Sequence, residues 1–204
     1  LRIKSAYFPI KGVTAHSTSG TPVDCVKLAI YKVLGRKPDL ILSGINHGSN
    51  SSINVIYSGT MSAAVEGAVE SINAIGFSLL DNDTDADFSN AKKVVRQMTM
   101  EVLKRGLPHG VCLNVNIPKT SEGEELKGIK VCRQAAGYWE DGFDERKAPN
   151  KESYFWLTGE FTNPDKGEDT DEYALSQGYA SVVPIQFDLT AHHAIAELNS
   201  WGLK

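Results

Sequence analysis

Two rhythms of apolar spacing alternate through the first half of the chain. Residues 21–34 (TPVDCVKLAIYKVL) place Val23, Val26, Ile30 and Val33 at helical intervals, which predicts a helix. Thr21 can cap it, Pro22 falls where a missing N–H costs nothing, and Gly35 follows its end. After Pro38 a short apolar run, DLILSG (39–44), predicts a buried strand of the parallel type. Further along come a helix from about Thr60 to Ala74, a strand at AIGFSLL (74–80), an amphipathic helix over 86–105 and a strand at VCLNVNIP (111–118). This alternation predicts an α/β fold: a mainly parallel sheet with helices on both faces.

The rhythm breaks after Pro118. Residues 119–170 are rich in charges, aromatics and turn formers, with one clear strand at ESYFWLTG (152–159). They read as a protruding, β-hairpin-rich arm. Regularity returns with a strand at GYASVVPIQ (178–186) and a helix from Thr190 to Trp201. The expected organisation is a core over 1–118, an arm over 119–170 and a C-terminal strand and helix over 171–204. The opening LRIKSAYF reads as a strand without an initiator methionine, so the natural start is expected upstream of Leu1.

Composition narrows the function. Against 25 acidic side chains stand 21 basic ones, a net charge of −4. That balance disfavours a partner with a nucleic-acid backbone, which calls for a basic face. The three cysteines, Cys25, Cys112 and Cys132, form no CxxC pair and suggest buried thiols in a reducing cytosol. No apolar run reaches ~18 residues and no signal peptide is visible, so a cytoplasmic protein without a membrane partner is expected.

The chemistry concentrates in DLILSGINHGSNSSINVIYSGTMSAAVEG (39–67). This segment leaves the carboxyl end of a strand, where open α/β sheets bind ligands. Gly44 and Gly48 permit sharp turns or a close ligand approach, and Asn46 and Asn50 offer amide oxygens and donors. Ser58-Gly59-Thr60 then opens a helix, whose free N–H groups and dipole favour an anion. The same residues can serve structure alone, Ser58 or Thr60 as a cap and the asparagines as turn formers. A P-loop is excluded because GxxxxGK[ST] is absent. Between Lys37 and Lys92 there is no lysine or arginine, so a bound phosphate calls for a metal as counter-charge, with magnesium or manganese suiting oxygen ligands. Asp39 and Glu66, the two carboxylates of the segment, are not placed for the loop, and acidic ligands are expected from elsewhere.

SGINHGSN (43–50) and YSGTMSAAVEG (57–67) resemble signature segments of the SurE family, the survival-protein nucleotidases. SGTPVDCV (19–26), LNVNIP (113–118), YFWLTGEF (154–161) and GYASVVPIQFDLTAH (178–192) extend the resemblance in order over nearly the whole chain. It implies a divalent-metal phosphatase of nucleoside 5'-monophosphates, with a Rossmann-like core and an arm that builds dimers or tetramers. It further implies that Asn46 is a metal ligand and that Asn50, Ser58, Gly59 and Thr60 bind phosphate. Two departures stand out: Ser51-Ser52 replaces an acidic pair found in many members, and the family's Asn-Asp-Asp-Gly segment and a serine ligand are absent. The other metal ligands are therefore expected upstream of Leu1. The competing readings are a non-catalytic nucleotide-binding module that keeps the anion loop, and another Rossmann-type enzyme acting on sugar phosphates.

Other motifs carry less. DNDTDAD (81–87) spaces aspartates like a calcium loop, but Ala86 and Lys92 stand where an EF-hand needs glycine and glutamate; a solvated helix start is expected. His192 and His193, adjacent on an expected helix, point apart, with Thr190 or Asp188 as the cap. His47 reads equally as a substrate contact or as loop filler. Tyr138, Trp139, Tyr154, Phe155 and Trp156 could stack on a nucleobase, although aromatics on an arm more often pack an interface.

Overall fold

The structure is a computed structural model that describes residues 1–121 and 123–203. Its centre is a five-stranded sheet in the order β3 (Ile41–His47), β4 (Ala74–Leu80), β5 (Val111–Pro118), β9 (Ala180–Gln186), β6 (Ile129–Val131). β3, β4 and β5 run parallel, β9 is antiparallel to β5, and β6 runs parallel to β9. Helices cover both faces. Ile75, Phe77 and Leu79 of β4 pack with Ala91, Val94 and Val102 of α3 (Ser89–Arg105). On the other face Met61, Ala64 and Ala68 of α2 (Gly59–Val69) pack with Ala74 and Cys112.

α2 lies unusually close to the sheet because small residues line its inner face. A Cβ on Gly76 of β4 would fall 2.3 Å from Met61 Sδ, and one on Gly67 of α2 would fall 2.7 Å from the Ala74 Cβ. α1 (Pro22–Leu28), continued by a π-helical turn over Ala29–Leu34, packs outside α2 through Val26, Ile30, Ala63 and Ile72. Its start is a full capping box: Thr21 Oγ1 accepts from Asp24 N, and Asp24 accepts from Thr21 N at 2.8 Å.

Among the described residues β3 pairs with β4. Two sequence expectations change. The opening strand is shorter, β1 (Ile3–Ala6), and pairs with β2 (Ala15–Thr18) in an exposed hairpin separate from the main sheet. Cys25 is exposed, with its Sγ 3.0 Å from Thr18 Oγ1, whereas Cys112 and Cys132 are buried.

The stretch 119–170 divides. β6 joins the main sheet, and the projecting part is a hairpin of two ten-residue strands, β7 (Tyr138–Lys147) and β8 (Ser153–Thr162). Arg133 anchors its root through Asp165 and Asp169, each at 2.9 Å, and that guanidinium holds the Asp165 carboxyl far below its usual range. A short helix the sequence did not disclose, α4 (Asp171–Ser176), follows, capped by Thr170. The C-terminal segment is a 3-10 turn at His192–Ala194 and a five-residue α5 (Ile195–Asn199), both exposed. Asp188 accepts from Thr190 N at 2.9 Å and meets His192 Nε2 at 3.1 Å, but neither Asp188 nor Thr190 caps the turn, whose N-cap is Ala191 without a side-chain bond.

Gly67→Ala tests the close packing of α2. Helix propensity alone favours alanine by about 1 kcal/mol. Because the added methyl meets the Ala74 Cβ at 2.7 Å, we expect overpacking to win and a net loss of about 1–2 kcal/mol. Urea unfolding should show a lower midpoint with an unchanged slope.

Candidate functional site

The carboxyl ends of β3, β4 and β5 converge under the loop that follows β3. Along β4 and β5 the face toward α2 changes character: Ala74 and Cys112 are apolar, while Ser78, Asn114 and Asn116 further on are polar and fully buried. Ser78 is in register with Asn116, and Asn116 with Ser181, so one polar row crosses three strands. Buried polar groups need partners, and the loop supplies them to Ser78, Asn114 and Asn116, whereas Ser181 Oγ has none among the described residues. Asn116 Oδ1 accepts from Asn50 N at 2.8 Å, Asn114 Nδ2 donates to Asn50 O at 2.7 Å, and Asn116 Nδ2 donates to Asn114 Oδ1 at 3.0 Å.

Asn50 in turn holds Asn46. Asn50 Nδ2 donates to Asn46 Oδ1 at 2.9 Å, while Asn46 Nδ2 is shared among His47 O, Gly48 O and Ser78 Oγ at 2.9–3.2 Å. Ser78 Oγ also donates to Gly48 O. The strand bends to reach this position: the β3–β4 register shifts between Ser43 and Asn46. Gly44 sits at φ +116°, where a Cβ would fall 2.3 Å from Phe77 O, so only glycine fits.

Past the loop, a 3-10 segment over Ser52–Tyr57 leads to α2. Ser58 caps that helix: its side chain accepts from Met61 N at 3.1 Å, and its carbonyl accepts from Ser62 N at 2.9 Å. The structural reading of Ser58 thus holds. It does not displace the anion reading, since the N–H groups of Gly59 and Thr60 open the helix without intrahelical acceptors. Gly59 is exposed and Thr60 half-buried.

Two carboxylates that sequence reasoning did not connect to the loop clamp it from α4. Asp171, fully buried, accepts from Ser52 N at 2.8 Å and from Ala135 N at 2.9 Å. Glu172 accepts from the Ser51 hydroxyl, which also bonds Ser49 Oγ. Burial pushes the Glu172 carboxyl above its ordinary value; the Ser51 hydroxyl opposes that shift and the Asp171 charge adds to it. Acidic groups do arrive from elsewhere in the chain, but they bind the loop. The lone signal for them was the Thr170-Asp171-Glu172 helix start, which says nothing about its distant partner.

A cation also reaches the strand ends from outside the 37–92 stretch. Lys119, directly after β5, pairs with Asp81 at 3.0 Å and with Asp83. Asp81, at the end of β4 and 8% exposed, also accepts from Asp83 N at 3.1 Å. That N–H first, and Lys119 after it, hold Asp81 below the usual carboxylate range. DNDTDAD is therefore a salt-bridged turn before α3. His47 is fixed away from the anion loop, its Nδ1 2.8 Å from Asp81 O and its ring edge-on to Phe88. Among the described residues no three His, Cys, Asp or Glu side chains converge as a metal site would require.

An open α/β sheet with an asparagine-braced loop at its strand ends, running into a helix N-terminus, defines a ligand-binding protein of the phosphate-recognising α/β class. The comparisons agree. The family model for survival protein SurE matches residues 1–141. A 5'-nucleotidase SurE of Flavobacterium psychrophilum is 65% identical over 94% of this chain and 74% of its own length. One from Flavobacterium johnsoniae is 66% identical over 94% and 73%. The crystal structure of the SurE protein from Aquifex aeolicus superposes with a TM-score of 0.80 at 33% identity, covering 100% of this chain and 81% of that one. The chain belongs to the SurE family.

The clamp gives a pH test. Because Glu172 has a raised pKa in the folded chain, the folded state keeps a proton there that the unfolded state has released. Its contribution to stability therefore falls as pH rises from the ordinary glutamate value through the raised one. We expect Glu172→Gln to remove this loss and to be at least as stable as the parent at neutral pH. Urea midpoints of both proteins between about pH 4.5 and 7 should diverge as pH rises; a gap that stays constant or closes would reject the assignment.

Proposed function

We infer that the protein is a phosphatase that hydrolyses nucleoside 5'-monophosphates to nucleoside and phosphate. One observation carries this: Asn46 and Asn50 are locked together at the strand end beside the start of α2, in a chain about two-thirds identical to relatives named 5'-nucleotidase SurE. The roles follow from position. The N–H groups of Gly59 and Thr60, the Thr60 hydroxyl and the positive end of α2 hold the phosphoryl oxygens and oppose the charge that develops on them. Asn50 fixes the loop and faces the same anion, while Ser58 shapes the helix start.

A divalent cation, magnesium or manganese, supplies Lewis-acid polarisation and an acidified water when bound. Asn46 Oδ1 fits a share in holding it: it accepts one hydrogen bond, from Asn50, and an amide oxygen has a second lone pair. One neutral oxygen does not complete the oxygen-rich shell of such an ion, and the described residues bring no carboxylate cluster to it. This chain's own residues bind and orient the phosphate.

The hairpin arm supports self-association to a dimer or tetramer. Its outer part exposes Phe143 and Phe155 on one face and Trp156 on the other, aromatic surface that a partner would bury. No described helix is long and apolar enough to cross a membrane, which is compatible with work on small phosphates in the cytoplasm.

Asn46→Ala in the full chain should lower turnover of AMP and flatten its metal dependence. Thr60→Ala should mainly raise KM, by the equivalent of roughly 1–3 kcal/mol for a donor lost to a charged acceptor. Steady-state kinetics with metal titration checks both, and near-normal rates with an unchanged titration for Asn46→Ala would reject the ligand role. For the arm, light scattering at micromolar concentration should show at least a dimer, and Phe143→Ser with Trp156→Ser should shift it toward monomer.

A further inference from the structure

A cavity of about 650 Å³ is lined by Tyr57, Trp139, Asp141, Leu157, Thr158 and Gly159. It lies between the root of the hairpin and the end of the 3-10 segment. Tyr57, on one wall, immediately precedes Ser58, the cap of α2. The cavity therefore adjoins the proposed phosphate grip and has a volume in the range of small-molecule sites.

Its construction is particular. Trp139, Asp141, Gly159 and Phe161 share one face of the hairpin, since Trp139 is in register with Phe161 and Asp141 with Gly159. Gly159 leaves that face open: a Cβ there would come 3.5 Å from both Trp139 Cε3 and Asp141 Oδ1. Trp139 is held in place by its indole N–H, which donates to Asn54 Oδ1 at 2.8 Å, and by Phe161 with ring centroids 5.7 Å apart. The Asn54 bond ties the arm to the very segment that leads into α2. A fixed indole, a mostly exposed phenol and a carboxylate thus border one open space. Aromatic rings accept flat heteroaromatic ligands by stacking. A carboxylate accepts hydrogen bonds from amino groups and repels phosphate, so it orients a nucleotide with its phosphate toward α2.

We propose that this cavity holds the nucleobase of the substrate, stacked against Trp139 and Tyr57, and that Asp141 accepts from an exocyclic amino group and so favours adenine, guanine or cytosine over uracil. The proposal rests on reading the adjoining loop as a nucleotide phosphatase site. It also divides the arm: the root contacts substrate, and the aromatics further out remain for a second copy.

The experiment compares hydrolysis of AMP, UMP and ribose 5-phosphate by the full metal-loaded chain, alongside calorimetric binding of adenosine. The parent should prefer AMP to ribose 5-phosphate. Tyr57→Ala, a change at a side chain 73% exposed and so mild for folding, should lower the AMP to ribose 5-phosphate ratio of kcat/KM about tenfold and weaken adenosine binding similarly. Asp141→Asn, whose amide can also donate to uracil, should bring the AMP to UMP ratio close to one. Equal losses on AMP and ribose 5-phosphate in Tyr57→Ala, or a parent without preference for the base, would overturn the pocket while leaving the phosphatase reading intact. If the parent hydrolyses none of the three, the phosphatase reading fails and adenosine binding decides the pocket. Binding that weakens in Tyr57→Ala supports it, and absence of binding overturns it.

Discussion

The hydrogen bonds between the side chains of Asn114 and Asn116 and the backbone of Asn50 set the position of everything at the carboxyl end of the sheet. Both asparagines are buried on strands that are otherwise apolar. A buried amide without partners costs about 1–3 kcal/mol, so the strands and the loop can relieve that cost only together. Asn50 then passes the constraint to Asn46 through its own side chain, and Asn46 passes it to Ser78 and Gly48. A closed polar network of this kind penalises a displaced loop more than a set of apolar contacts would, because every small shift breaks a directional bond. The result is a loop held in one position next to a helix start, the preorganisation that the proposed grip on a phosphoryl group calls for.

Close packing on the same face makes that geometry reachable. Gly67, Gly76, Ala63 and Ala64 bring α2 down onto β3 and β4, and Gly44 lets β3 pass within contact of Phe77 O. The first turn of α2 is thereby fixed against the strand ends that carry the asparagines. From the opposite side Asp171 and Glu172 hold Ser52 and Ser51, while Ser52 Oγ bonds Ala135 O and Gly137 N at the root of the hairpin. The loop is consequently the junction of the sheet, α4 and the arm. Ser52 and the Trp139–Asn54 bond thus tie the root of the hairpin to the loop.

Much of this was legible along the chain. The helices over 22–34 and 89–105 and the strands at 74–80 and 111–118 lie where periodicity put them, because amphipathic spacing and capping act over a few residues. The candidate loop was legible as chemistry too: Asn46, Asn50, Ser58, Gly59 and Thr60 stand at a strand end and a helix start. Asn114 and Asn116 were inside a correctly read strand, and their period-two spacing on an apolar background was a usable sign of a polar row. The partners of that row were not legible, since Asn50 is 66 residues from Asn116 and Ser52 is 119 from Asp171.

By itself the sequence determined the α/β class, the order of most elements, the resemblance to the SurE family and the short list of residues that could grip a phosphate. These follow from local spacing and local chemistry, which each segment carries with it. Only the tertiary structure decided that Asp171 and Glu172 clamp the loop, that Lys119 is bound to Asp81 and Asp83, that His47 faces Phe88, and that the hairpin root opens a cavity beside Tyr57. Those are pairings between segments far apart in the chain. They are settled by which buried polar and charged groups can all be satisfied at once in one packing, a condition that no stretch of sequence states alone.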